Sequence, residues 1–218
     1  PVFYARVDHV SVPLAKEGTG QVVVDFTPEP LTQDVSFVFH IEKTADVVVD
    51  SLTAEISGIP STMELTTGLI LAQKTYKLLF RPTYAALPSA ADSASAEALR
   101  CEASVNIPGI VRSHTEDMVT GPGILQIAIY THYDYEEEGT QRKAAKVFHA
   151  GINLYHTLKE RKSLQWDEEE NGYRQASRSI TVEIGSPLNI DKDGILNGGS
   201  TSTGLDQWIP GETFEIEV

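Results

Sequence analysis

The chain has 218 residues, with 31 Asp and Glu against 17 Lys and Arg and a formal net charge of −14. That balance disfavours nucleic acids and anionic lipid headgroups as partners, because both carry the charge the surface already has. A single cysteine, Cys101, excludes an intrachain disulfide, and the length suits either one large all-β domain or two of about 100 residues each.

From the N-terminus onward the chain reads as strand after strand. Residues 3–12 alternate loosely, with Phe3, Ala5 and Val7 in one phase and Val10 and Val12 in the other, as a strand with a bulge near Asp8 does. Residues 16–20 read as a turn, and 21–27 as a β-branched strand closed by Pro28 and Pro30. In 35–41, Val35, Phe37, Phe39 and Ile41 share one face opposite Ser36, Val38 and His40. The sharpest pattern covers 47–70. There Leu52, Ala54 and Ile56 alternate with Thr53, Glu55 and Ser57, Gly58-Ile59-Pro60-Ser61 interrupts, Met63 and Leu65 resume, and Thr67-Gly68 turns. These residues predict a strand, a corner and a returning strand, which 72–80 continues as far as Pro82.

Residues 85–97 are rich in Ala and Ser and read as a loop, and 99–111 resume the alternation with Cys101 as a buried core thiol. Gly121-Pro122-Gly123 is the strongest breaker cluster, so 112–123 is expected to divide an N-terminal domain, 1–116, from a C-terminal domain, 117–218. In the second half, 124–130 reads as a central strand, 134–139 as a solvated acidic loop, 146–154 as a strand and 155–165 as a helical turn or two. A charged loop at 167–172, a strand at 179–184, a polar loop at 190–204 and a final strand at 213–218 complete the chain. Turns roughly every 8 to 12 residues favour β-sandwiches over βαβ units.

The chemistry-bearing motifs are sparse. The histidines at 9, 40, 114, 132, 149 and 156 show no zinc spacing, and GxSxG, P-loop, GxGxxG and HExxH motifs are absent. A non-enzymatic protein without cofactor is therefore expected. The runs 134–138 and 167–171 read as solvated loops rather than catalytic carboxylate pairs, which need unequal environments in a cleft. Asn189, Asp191 and Asp193 followed by Gly194 match the front of a calcium loop, but its twelfth position is Ser200 where a bidentate Glu belongs, so an ordinary turn is favoured over a metal site. Trp166 and Trp208 each lie beside acidic residues. They read as core anchors before sugar-stacking platforms, with Tyr130, Tyr133 and Tyr135 as further stacking candidates.

The order LTAEISGIPSTMELTTG, TYKLLFRP, GPGILQIAIY, FHAGINLY and the closing stretch from Leu205 through Trp208 to Val218 resembles the fimbrillin-like surface proteins of Bacteroidetes. It is closest to their fimbrium anchor and minor-subunit branch and to related Bacteroides lipoprotein families. The resemblance implies two tandem transthyretin-like, Greek-key β-sandwich domains, export as a lipoprotein, and a place at the cell surface and outer membrane as a pilus anchor or subunit. The family's lipobox cysteine is not in this chain, and no run approaches the ~20 apolar residues of a membrane span. Because the chain starts at Pro1, an upstream segment with a signal or lipid anchor is expected to have been removed, and that anchor would be the only contact with a membrane. The implied partners are other fimbrial subunits or surface proteins, and a host protein or glycan. Assembly is expected by strand addition at the terminal strands, 3–12 and 213–218. The alternative is a glycan-binding surface module using Trp166, Trp208 or the tyrosines.

Overall fold

In the computed structural model, residues 3–5, 7, 23–87, 96–196 and 208–216 are described. In chain order they form β1 (Phe3–Tyr4), β2 (Glu29–Pro30), β3 (Gln33–Thr44), β4 (Val47–Glu64), β5 (Leu69–Phe80), β6 (Thr83–Ala86) and β7 (Ala96–Ile107). Then come β8 (Ile124–Glu137), β9 (Thr140–Asn153), the helix α1 (Tyr155–Arg161), β10 (Leu164–Asp167), β11 (Gly172–Gln175), β12 (Ser179–Glu183), β13 (Leu188–Ile190), β14 (Ile195–Leu196) and β15 (Trp208–Ile216).

Two sheets face each other. One has seven strands in the order β10-β11-β5-β4-β8-β9-β15; the other has six, β14-β13-β3-β7-β6, with β12 paired to β3 ahead of β13. The protein is an all-β sandwich. Its core lies between the inward faces that period-two alternation builds: Val35, Phe37, Phe39 and Ile41 of β3 meet Leu52, Ala54 and Ile56 of β4, with Leu125, Ile127 and Ile129 of β8 and Phe148, Ala150 and Ile152 of β9 beside them.

The expected division at 116/117 is not how the strands pair. β4 from the first half lies against β8 from the second, paired from Val47↔Tyr133 to Ile56↔Leu125 with one register shift between Val49 and Ser51. β3 likewise accepts β12 and β13 as parallel neighbours, Val35↔Ile180 and Ile41↔Leu188 among the pairs. Both sheets and one continuous core therefore draw on both halves. Two consecutive sandwiches would leave the partner faces of β3 and β4 open, and the interleaving buries them instead.

The stretch 112–123 is not a free linker. Asn153 Nδ2 donates to the carbonyls of Thr115, Glu116 and Met118 at 2.9, 3.0 and 3.0 Å, while its Oδ1 accepts from Ser113 Oγ at 2.8 Å and from the Tyr155 N–H at 3.0 Å. At the other end of the stretch the buried Ser57 hydroxyl donates to the Gly121 carbonyl at 2.6 Å and accepts the Ile124 N–H at 3.0 Å. A breaker cluster marks irregular backbone; here that backbone is satisfied by side chains from the sheets.

The corner expected at 58–61 is a bulge within one strand. β4 runs on through it, with the register against β5 shifting between Ile56 and Ile59, and Gly58 takes a φ of +88°. The chain reverses only at 65–68, where the Gly68 N–H reaches the Glu64 carbonyl at 2.8 Å. The acidic run at 134–138 is not a loop either. β8 and β9 pair out to Glu137↔Thr140, and Glu138 and Gly139 make a two-residue turn with φ of 51° and 78°, the left-handed pair that suits strand twist. Of the strand expected at 21–27, residues 23–27 form no strand and 21–22 lie outside the described residues, as does most of the strand expected at 3–12. The helix expected from residue 155 and the strand expected at 179–184 are present as α1 and β12.

Candidate functional site

The residues singled out by sequence scatter across the fold. Cys101 is fully buried at the centre of β7, and burial pushes its thiol pKa up to about 12. Trp208 is 5% exposed: its ring meets Phe39 edge-on at 5.8 Å, and its Nε1 donates to the Ser186 carbonyl at 3.0 Å. It is a core anchor. Trp166, on β10, is 47% exposed. Tyr133 and Tyr135 sit at a tilt of 49° on the β8–β9 hairpin, with Lys146 Nζ 5.3 Å from the Tyr133 ring.

Asn189 lies within β13. Asp191 opens the turn between β13 and β14, its Oδ1 accepting the Asp193 and Gly194 N–H groups at 2.7 and 2.8 Å. That carboxylate holds the turn in the way Asx residues do. Among the described residues no three His, Cys, Asp or Glu side chains converge as a metal cluster. His132 pairs with Asp50 at 2.8 Å, His156 with Glu116 at 2.6 Å, and His149 packs edge-on against Phe214 at 5.6 Å. His9 lies outside the described residues. No helix among the described residues is long and apolar enough to cross a membrane.

Two features of the surface have the form of interaction sites. The first is the margin of the seven-stranded sheet at β15, which among the described residues is hydrogen-bonded to β9 alone. A bulge between Pro210 and Thr213 interrupts it, so the regular free run is 213–216. Register sets Phe214 in one row with Val147 and Tyr130 on the outer face, and Ile209 in a second row with Gly151. Phe214 is 50% and Ile209 42% exposed. The opposite margin differs. Along β5 only Ile70 has a partner in β11, and the free stretch beyond it carries Lys74 and Lys77, side chains that discourage edge pairing.

The second feature is a groove of about 500 Å3 with walls from three separate segments. β5 supplies Ile70 and Gln73, the stretch 111–114 supplies Arg112 and His114, and the β10–β11 hairpin supplies Trp166, Asn171 and Tyr173. Trp166 and Tyr173 are a cross-strand pair, with ring centroids 4.9 Å apart and planes at 76°. The 111–114 wall is held from both sides. The Val111 N–H donates to the Gly58 carbonyl at 2.9 Å, Ser113 is tied to Asn153, and the Arg112 guanidinium lies 5.3 Å from the Tyr155 ring centroid. Behind Trp166 the hairpin is fixed by Arg174, whose Nε donates to Asp167 Oδ2 at 2.8 Å; that bond, with the Glu170 and Glu169 N–H groups, holds the Asp167 pKa below its ordinary value.

Sequence reasoning found Trp166 but not the company it keeps. Tyr173, Arg112 and His114 belong to stretches that local pattern separates, and only the fold brings them together. One local signal was present: Asn171-Gly172 marks a reversal, but the turn is the four residues 168–171, with Asn171 at a φ of +53° and Gly172 already paired to Asp167, and only that register sets Trp166 opposite Tyr173.

Fold and surface together define an all-β sandwich with an open sheet margin at β15 and an aromatic-walled groove among the described residues. No family model, no curated protein and no solved structure matches the chain.

Proposed function

We propose that this protein is a non-enzymatic structural or adhesive component of a cell surface, an anchor or minor subunit of a fimbrial assembly, that joins its neighbours by β-strand addition. The observation that carries the reading is the margin of β15, which has no outer neighbour among the described residues. An incoming strand there would satisfy the outward backbone N–H and C=O groups of 213–216, extend the seven-stranded sheet, and rest alternate side chains against Phe214 and Ile209. The fimbrillin-like resemblance supplies the cellular setting, in which a lipid anchor upstream of this chain would hold it at the outer membrane. The glycan-module alternative keeps Trp166 but loses Trp208, whose ring is enclosed by the core.

A photo-crosslinking side chain in place of Phe214, introduced in the producing cell, tests this. Strand addition gives an adduct of discrete mass at position 214 and none from Leu65 in the β4–β5 turn, although Leu65 is the more exposed of the two. Adducts absent at 214, or equal at both sites, refute it.

A further inference from the structure

The groove beside Trp166 has a chemistry unlike the rest of the surface. The chain carries 31 carboxylate side chains, yet among the described residues no Asp or Glu lines this groove, whose wall carries the Arg112 guanidinium and the His114 imidazole. The acidic side chains of the same hairpin, Asp167, Glu168 and Glu169, line a different hollow on the other side of Trp166. At physiological ionic strength the Debye length is about 8 Å, so groups lining the groove weigh more than the net charge of the whole molecule.

Shape and polarity point the same way. Trp166 and Tyr173 offer an aromatic wall, and Gln73, His114 and Asn171 supply planar polar groups that form no side-chain hydrogen bond among the described residues. Arg112 is pre-oriented by the Tyr155 ring on a stretch pinned through Val111 and Ser113, so little order has to be imposed on binding. Aromatic faces suit the apolar C–H faces of pyranose rings, amide and imidazole groups suit their hydroxyls, and a guanidinium suits a carboxylate.

We infer that this groove binds a carboxylate-bearing saccharide, with Trp166 and Tyr173 against a sugar ring and Arg112, aided by His114, on the carboxylate. The site is separate from the β15 margin and does not depend on strand addition.

The test uses the full chain and hexasaccharides of galacturonate, guluronate, mannuronate and hyaluronan, with xylohexaose, cellohexaose and mannohexaose as neutral probes. Binding is followed by NMR, where the two indole N–H resonances distinguish the exposed Trp166 from the buried Trp208. The expected result is that at least one acidic probe shifts the Trp166 indole and not the Trp208 indole. It should bind about tenfold or more tighter than any neutral probe, and Trp166→Ala and Arg112→Gln should each weaken it by about tenfold. His114→Ala, at an exposed position, serves if either variant fails to fold. The inference is overturned if no acidic probe binds at millimolar concentration, if neutral probes bind as well, or if folded variants bind like the parent.

Discussion

Gly58 is the residue whose replacement most directly tests the architecture. It lies where β4 bulges, with φ at +88°, and a Cβ there would sit 2.6 Å from the Val111 carbonyl oxygen, 2.7 Å from the Gly123 nitrogen and 3.0 Å from Pro122 Cβ. Gly58→Ala carries two costs. The left-handed backbone of a residue with a Cβ costs about 1–2 kcal/mol. The close contacts are with backbone, which has to retreat, and the same two segments make the bonds Val111 N–H to Gly58 O at 2.9 Å and Gly123 N–H to Ser57 O at 3.1 Å. Weakening both adds about 1 kcal/mol each, for a total of about 3–4 kcal/mol. Gly139→Ala separates the costs: φ is +78° there, but nothing lies within 4 Å of the added Cβ. It should lose only about 1–2 kcal/mol, the backbone term alone. Urea unfolding followed by both tryptophan fluorescence and far-ultraviolet circular dichroism measures each loss. An equal loss in the two variants would falsify the packing of β4 against 111 and 123. Two separated transitions, only one of them moved by Gly58→Ala, would restore the pair of independent domains.

Two further outcomes follow from buried groups. Cys101, fully enclosed and with its thiol pKa pushed up to about 12, should not react with a disulfide reagent at pH 8 while the protein is folded, and should react completely in denaturant; reaction within the mixing time in native buffer refutes its placement. Lys146 donates to the Lys192 carbonyl at 2.7 Å and lies 3.2 Å from Glu215; burial acts to lower its pKa, but Glu215 and Tyr133 outweigh burial and hold it above the ordinary 10.5. Its contribution is therefore complete below the unfolded value and lost as pH rises through the folded one. The difference in unfolding free energy between the parent and Lys146→Met should be level at neutral pH and fall above pH 10.5. A difference that stays level into strong alkali, or that falls on acidification instead, refutes the assignment.

Much of the strand content was readable because alternation is a local signal. Val35 to Ile41, Leu52 to Ile56 and the apolar run from Ile124 each became a buried strand face, as a period of two requires. The punctuation misled where glycine had two uses. Gly58 reads as a corner but serves a bulge, and Gly121 with Gly123 reads as a linker but packs against Ser57 and Arg112. Gly139 reads as part of a loop although Glu138-Gly139 is a tight hairpin turn, because the acidic residues before it look solvated whether they are on a strand or off one. At the groove, Trp166 was visible and its partners were not. Arg112 and His114 have no pattern of their own, and nothing local says that 111–114 comes to rest beside the β10–β11 hairpin.

The sequence by itself determined an all-β protein, the inward residues of its long strands, an acidic surface and a buried thiol, because charge is additive and side-chain alternation is a property of each strand alone. The tertiary structure decided which strands are neighbours. That choice rests on contacts between residues far apart in the chain, such as Gln33 and Ser163, which are 130 positions apart and bonded through the Gln33 amide. It also decided the two tryptophans. Both lie on strands beside acidic residues, but Trp208 is paired opposite Ile152 and faces the core, while Trp166 is paired opposite Tyr173 on a hairpin at the sheet's far margin and faces water. Local pattern is the same for both, and only the position of each strand in its sheet makes one a structural anchor and leaves the other exposed.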